Sequence, residues 1–252
     1  MSWCDKLAST PAAGVMLDRL CGPSSSMLSG FAPLLSTWVD GEKPAFTVDQ
    51  QDIFGFAITN FDGFTYVANS EWLSVEFRHR MRLRGQSAGP PVAEMLSKPQ
   101  PYTELLPEVL RRVAEFSTLA VSANRKLKRI GVLSTTFVDF EELPPGLRRL
   151  LDHVAGPWQN ALDFFNIDVT AKLPRTKAMN YQDRCQHQLT KREEDGGLMT
   201  VRLDYHRIYN TERPLSAIQL ETLFKAVRED ALAYFEDIAE GERFDELSIN
   251  RT

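Results

Sequence analysis

Apolar residues recur along this chain at two spacings, and the switches between them mark out its elements. Over 72–82 they alternate: Leu73, Val75 and Phe77 take one side, and Ser74, Glu76, Arg78 and Arg80 the other. That is the period-two signature of a half-buried strand. The stretch 162–172 alternates likewise, Phe165, Ile167, Val169 and Ala171 against Asn166, Asp168, Thr170 and Lys172. Further strands are predicted at 13–20, 181–190 and 198–209. Between 53–60 and 64–69 lies Phe61-Asp62-Gly63, and the Asp-Gly pair predicts a hairpin. Helical spacing predicts helices over 25–38, 103–121 and 146–154, and a last one opening at Ser216. There Ser216 and Gln219 form a capping box, Leu220, Phe224, Val227, Ala231 and Phe235 make the stripe, and Gly241 closes it. A connection at 85–101, rich in Pro, Gly and Ser, is long enough to be functional or mobile.

At the middle of the chain, 125–140 predicts one long strand. Both of its alternating sets are partly apolar, Ile130, Val132 and Val138 against Leu133 and Phe137, which predicts cover on both faces. The elements keep the same order on either side of it. First strands begin near 14 and 128, hairpin-opening strands near 53 and 162, and long helices near 103 and 216. The expected fold is α+β: a tandem duplication of a strand-helix-three-strand-helix unit, with mostly antiparallel sheets each backed by a long helix. Residues 1–124 make the first unit and 125–252 the second, in one continuous pseudo-symmetric body.

PAAGVMLDRLCGPSSSMLSGFAPLL, the hairpin, and LKRIGVLSTTFVDFEELPPGLRRLL together resemble a sporadically distributed family of uncharacterised bacterial proteins of about this length. That family has a similar midpoint strand, opened here by Arg129-Ile130-Gly131 and followed by a short helix. The resemblance implies a bacterial protein of tandem sheet-plus-helix build and brings no activity with it. A more distant likeness, of topology alone, is to tandem strand–helix–strand–strand modules that bind small ligands in a shared concave groove.

Composition narrows the class. With 43% hydrophobic and 25% charged residues the chain is globular rather than disordered. A net charge of −5 argues against a surface that coats nucleic acid everywhere. Between 71 and 129, however, basic residues outnumber acidic ones, which leaves room for a local basic patch. Cys4, Cys21 and Cys185 are few, odd in number and form no CxxC pair, as in a reducing compartment. No secretory leader and no apolar run of membrane-spanning length stands out, so the expected location is the cytoplasm. The common phosphate-loop, dinucleotide, zinc and serine-hydrolase signatures do not occur. No catalytic residue, metal ligand or cofactor is assigned, and binding is favoured over catalysis.

Three features invite chemistry. Cys185-x-His187 with His206 nearby suggests a metal or a nucleophile. If the hairpin after Cys185 closes in the expected register, though, Cys185 and His187 share a face with Val201 and Leu203, while His206 shares the other with Arg202 and Asp204. The run Arg78, Arg80, Arg82, Arg84 sets its guanidiniums on one face of an extended strand, where an anion, or acids of the same chain, must answer them. Finally, Arg184, Arg202, Asp204 and His206 fall on the polar face of the second sheet. Three readings follow. The first is an interaction module, a subunit or adaptor of a bacterial multi-component system with a protein partner or self-association. The second is a small-ligand or anion sensor binding in a concave sheet groove. The third is a protein acting on nucleotide or nucleic acid through the Arg78–Arg84 stripe. No membrane partner is expected.

Overall fold

The computed structural model describes residues 2–6, 9–18, 24–40, 43–51, 53, 55–69, 71–79, 81–84, 92–95, 100–120, 126–156, 164–174, 179–191, 198–214 and 217–241. The first part of the chain runs α1 (Trp3–Lys6), β1 (Thr10–Leu17), α2 (Ser24–Leu35), β2 (Val39–Asp40), β3 (Lys43–Pro44) and β4 (Phe46–Gln51). Next come β5 (Phe56–Asn60), β6 (Phe64–Ala68), β7 (Trp72–Phe77), β8 (Met81–Arg84), β9 (Val92–Met95) and α3 (Tyr102–Ala120). The second part runs β10 (Lys126–Val138), α4 (Pro145–Ala155), β11 (Phe165–Lys172), β12 (Tyr181–Lys191), β13 (Met199–Pro214) and α5 (Ala217–Glu240). The predicted hairpin forms between β5 and β6. Gly63 takes φ +91°, and the Asn60 side chain accepts the N–H groups of Asp62 and Phe64 at 3.1 and 3.0 Å. The predicted capping residue Ser216 and most of the 85–101 connection lie outside the described residues.

The expected tandem duplication of a strand-helix-three-strand-helix unit, each with its own sheet backed by a long helix, is corrected: the first half of the chain gives β1 and β4 to β7 to the sheet, the second β10 to β13. Nine strands form one antiparallel sheet in the order β11-β12-β13-β10-β1-β7-β6-β5-β4. β10 pairs with β13 along one side and with β1 along the other, from Thr10↔Thr135 to Leu17↔Leu127. Alternation along a strand shows which face is buried but says nothing of which backbone edges meet, so one sheet and two look alike in the sequence. β4 was not foreseen; apart from Phe46 it is exposed along its length, and it forms an edge.

One face of the sheet carries the helices. On β10 it is the set Ile130, Val132, Ser134, Thr136 and Val138 that is buried there. The other set is not fully covered, as Phe137 at 60% exposure shows, so the strand is sealed on one face rather than both. α3 packs on β1 and β7, α5 on β10 and β13, and the two helices touch each other. The N-terminus stitches this layer together. Asp5 accepts Thr103 N–H at 2.9 Å and so caps α3, Trp3 donates its indole N–H to Phe235 O on α5 at 3.0 Å, and Cys4 Sγ lies 3.6 Å from Ser134 Oγ on β10. Burial pushes the Cys4 thiol up to about 12, which keeps it protonated and inert. Phe31, Phe56, Tyr66 and Phe116 pack ring to ring under α2 and α3.

At the far end of the same layer the cation of Arg207 is buried. Arg207 forks onto Asp183 (2.9 and 2.8 Å), reaches Asp230 of α5 (2.6 Å) and lies 3.9 Å from the centroid of the Tyr181 ring. Tyr205 adds a 2.6 Å hydrogen bond to Asp183. β12, β13 and α5 are thereby locked to one another. Taking away one partner of such a pair strands the other in low dielectric, so Asp183→Ala should cost about 3 kcal/mol or more in urea unfolding. Asp230 has a half-exposed side chain, and Asp230→Ala should cost only about 1 kcal/mol or less. Equal losses would contradict this assignment.

Candidate functional site

The face opposite the helices is open, and the glycines decide its shape. Gly14 of β1 and Gly131 of β10 stand directly opposite each other at the middle of the sheet. A Cβ on Gly131 would come within 2.7 Å of His206 Nδ1 and 3.0 Å of the Trp72 ring. A Cβ on Gly14 would come within 2.7 Å of Leu73 O and of the Trp72 ring. The missing side chains therefore let an indole and an imidazole lie down on the backbone of the central strands. The result is a shallow depression of about 200 Å³, lined by Gly14, Trp72, Glu76, Gly131, Asp204 and His206 among others.

Strand register gathers charge around these rings. His206 lies opposite Gly131 on β10 and opposite Arg184 on β12. Arg202 and Asp204 follow on the same face of β13, with Arg202 Nη2 3.8 Å from Asp204 Oδ2. Arg129 enters from β10: its guanidinium sits 5.3 Å from the centroid of the Trp72 ring, and its Nη2 lies 3.2 Å from His206 Nε2. The same Nε2 is 2.9 Å from Asp204 Oδ1. One ring nitrogen thus stands between a donor and an acceptor. Carrying the proton, it donates to Asp204; without it, it accepts from Arg129.

Arg129 is the electrostatic anomaly of the face. Burial holds its guanidinium below the ordinary range, with Asp204 opposing that shift and Arg184 adding to it. No carboxylate stands within ion-pair distance of it among the described residues, and its Nε is buried without a hydrogen-bond partner. His206 Nδ1 is in the same state. Glu76 does not answer Arg129, since it is held by Arg78 at 2.6 Å. Arg129, Arg184 and Arg202 therefore outweigh Asp204 on this part of the face.

The predicted residues divide sharply. Arg184, Arg202, Asp204 and His206 are brought together as expected, and Cys185 and His187 are buried on the helix side. His187 stacks on Tyr234 and hydrogen-bonds its hydroxyl, so no single site gathers Cys185, His187 and His206. The arginine stripe is not one strand face. β7 ends at Phe77, Arg78 follows it and pairs with Glu76, and Arg80 lies outside the described residues. Arg82 and Arg84 belong to β8, which leaves the main sheet to pair with β9, Arg82 standing opposite Glu94. The stripe breaks because the alternation runs across a strand end that carries no Gly or Pro to mark it.

Trp72 and the glycine pair were not foreseen. The available signal was a lone Gly inside each of two strong strand patterns, which marks a close approach. The chain matches no family model, no curated protein and no solved structure.

A methyl group on either glycine should disturb the site to different degrees. Gly14→Ala meets backbone oxygen and should cost about 1–3 kcal/mol. Gly131→Ala meets mainly two side-chain rings, which can swing away, so it should cost less and move the His206 ring resonances in NMR. A Gly131→Ala protein with unmoved His206 signals would contradict the stacked geometry.

Proposed function

We propose that this chain is a binding module that takes a small molecule bearing a carboxylate or phosphate on the open face of its sheet, with Arg129 as the anchoring cation. One observation carries the proposal: a half-buried guanidinium that no carboxylate contacts among the described residues, with Asp204 acting on it only from beyond ion-pair distance. Withdrawing a cation from water costs several kcal/mol unless an anion answers it. An incoming carboxylate or phosphate supplies that answer, with the Trp72 ring beside it as an apolar wall. Arg184 and Arg202 flank the same spot and favour ligands of more than one negative charge. Asp204 and His206 provide an acceptor and a switchable nitrogen for a hydroxyl or amine on the rest of the molecule.

A second reading, docking of a protein partner on the same face, is favoured by Phe137, a large apolar side chain exposed beside the polar rows. The nucleic-acid reading is not carried further, because the arginines that motivated it are divided between β8, the stretch after β7 and a position outside the described residues.

The test combines two readouts. In thermal-shift titrations with inorganic phosphate, citrate and nucleoside monophosphates, at least one should raise the midpoint, since a ligand at a hundredfold over its Kd adds about 2.7 kcal/mol. Arg129→Met should abolish that shift. In the ligand-free protein the same substitution should leave stability unchanged or raise it, because it removes a desolvated cation that no described carboxylate contacts and keeps an apolar stem. If Arg129→Met instead unfolds at markedly lower urea, Arg129 is a structural residue and the proposal fails. It also fails if no anion moves the midpoint.

A further inference from the structure

The two edges of the nine-stranded sheet differ. β4 is bulged between Val48 and Gln50, and Asp49 turns back to accept from Thr47 Oγ1 at 3.0 Å and from Thr59 Oγ1. Such a bulge discourages pairing with another chain. β11, the other edge, pairs with β12 over 8 residues without a bulge. Just past its end, Leu173 donates its N–H to Asp183 O at 3.0 Å, so the odd-numbered residues aim their main-chain groups at β12. By the two-residue period Asp168, Thr170 and Lys172 aim theirs outward, to a side where no described strand lies. Their side chains stand exposed on the open face. A straight, unbulged edge of this kind is a ready template for another strand.

The residues along that edge complement themselves. A two-fold axis through Thr170, normal to the sheet, sets Asp168 of each copy opposite Lys172 of the other. On the helix side it sets Val169 opposite Ala171 and Ile167 opposite Leu173, apolar against apolar. Moving the axis to Asp168 would bring two carboxylates face to face, and moving it to Val169 would leave Asp168 opposite Thr170. Cross-strand charge therefore selects the register about Thr170. The Asp168 carboxylate is already fixed on the open face, where Gln186 Nε2 donates to both of its oxygens at 2.9 and 2.8 Å. We propose that two copies of this chain pair β11 to β11, antiparallel about Thr170, into one sheet that runs through both. The helix layers then lie on one side of the joint sheet and both open faces on the other. Nothing in this dimer depends on the anion site.

Sedimentation velocity on the full chain over a range of concentrations tests it. The wild-type protein should dimerise. Asp168→Lys and Lys172→Asp should each weaken dimerisation by about tenfold or more, and the two combined should recover to within about threefold of wild type. Thr170→Pro should block dimerisation while leaving the circular dichroism spectrum intact, because the N–H it removes points away from β12. A protein that stays monomeric at every concentration would overturn the proposal, as would a dimer indifferent to both Asp168→Lys and Thr170→Pro.

Discussion

The antiparallel main-chain pairing of β1 with β10 is the contact on which the rest of this structure rests. Two meanders, β5–β6–β7 and β11–β12–β13, lie on either side of it, and through it they become one sheet. A hydrogen-bonded seam has no free edges, so neither meander meets the other through side chains alone. The helix layer follows from the seam. With β1 and β10 adjacent, α3 and α5 come to lie side by side on one face, and α1 can bridge them by capping α3 through Asp5 and bonding α5 through Trp3.

The open face owes its chemistry to the same pairing. Its register sets Gly14 opposite Gly131, and only with both side chains absent can Trp72 and His206 settle on the central backbone. Neighbouring registers then place Arg202 and Asp204 in the lining of the depression, and Arg129 and Arg184 on the same face beside it. The contrast with Arg207 on the helix side is instructive. Arg207 is more deeply buried than Arg129 yet is answered by Asp183, Asp230 and two tyrosines, which makes it a lock between elements. Arg129 sits in the opposite balance, desolvated and with no carboxylate in ion-pair contact among the described residues, and that difference is the ground for proposing it as a binding cation rather than a structural one.

Much of this was legible in the residue pattern, and the failures have physical causes. The alternation in β11, β12 and β13 assigned Asp168, Arg184, Arg202, Asp204 and His206 to one face correctly, because a buried opposite face enforces register. It also separated Cys185 and His187 from His206. The long strand β10 was evident from its apolar content, but its cover was not: Phe137 is apolar and exposed, so composition overstated burial. One continuous body was expected, but not that a single sheet runs through it by way of β1 and β10, since backbone edges leave no mark on side-chain periodicity. Arg78 to Arg84 misled because alternation continues past the end of β7. Arg129 was legible only as the opening of the midpoint strand, and three-dimensional register is what shows it beside Trp72 with no carboxylate in ion-pair contact among the described residues.

The seam can be tested most directly by amide hydrogen exchange resolved to single residues. If β1 and β10 are hydrogen-bonded through the centre of one sheet, the amides of Val15, Ile130 and Val132 should be among the slowest to exchange, opening only with global unfolding. Exchange across β1 and β10 that is faster than in β6 or β12 would mean that the two meanders form separate sheets, and would contradict the account.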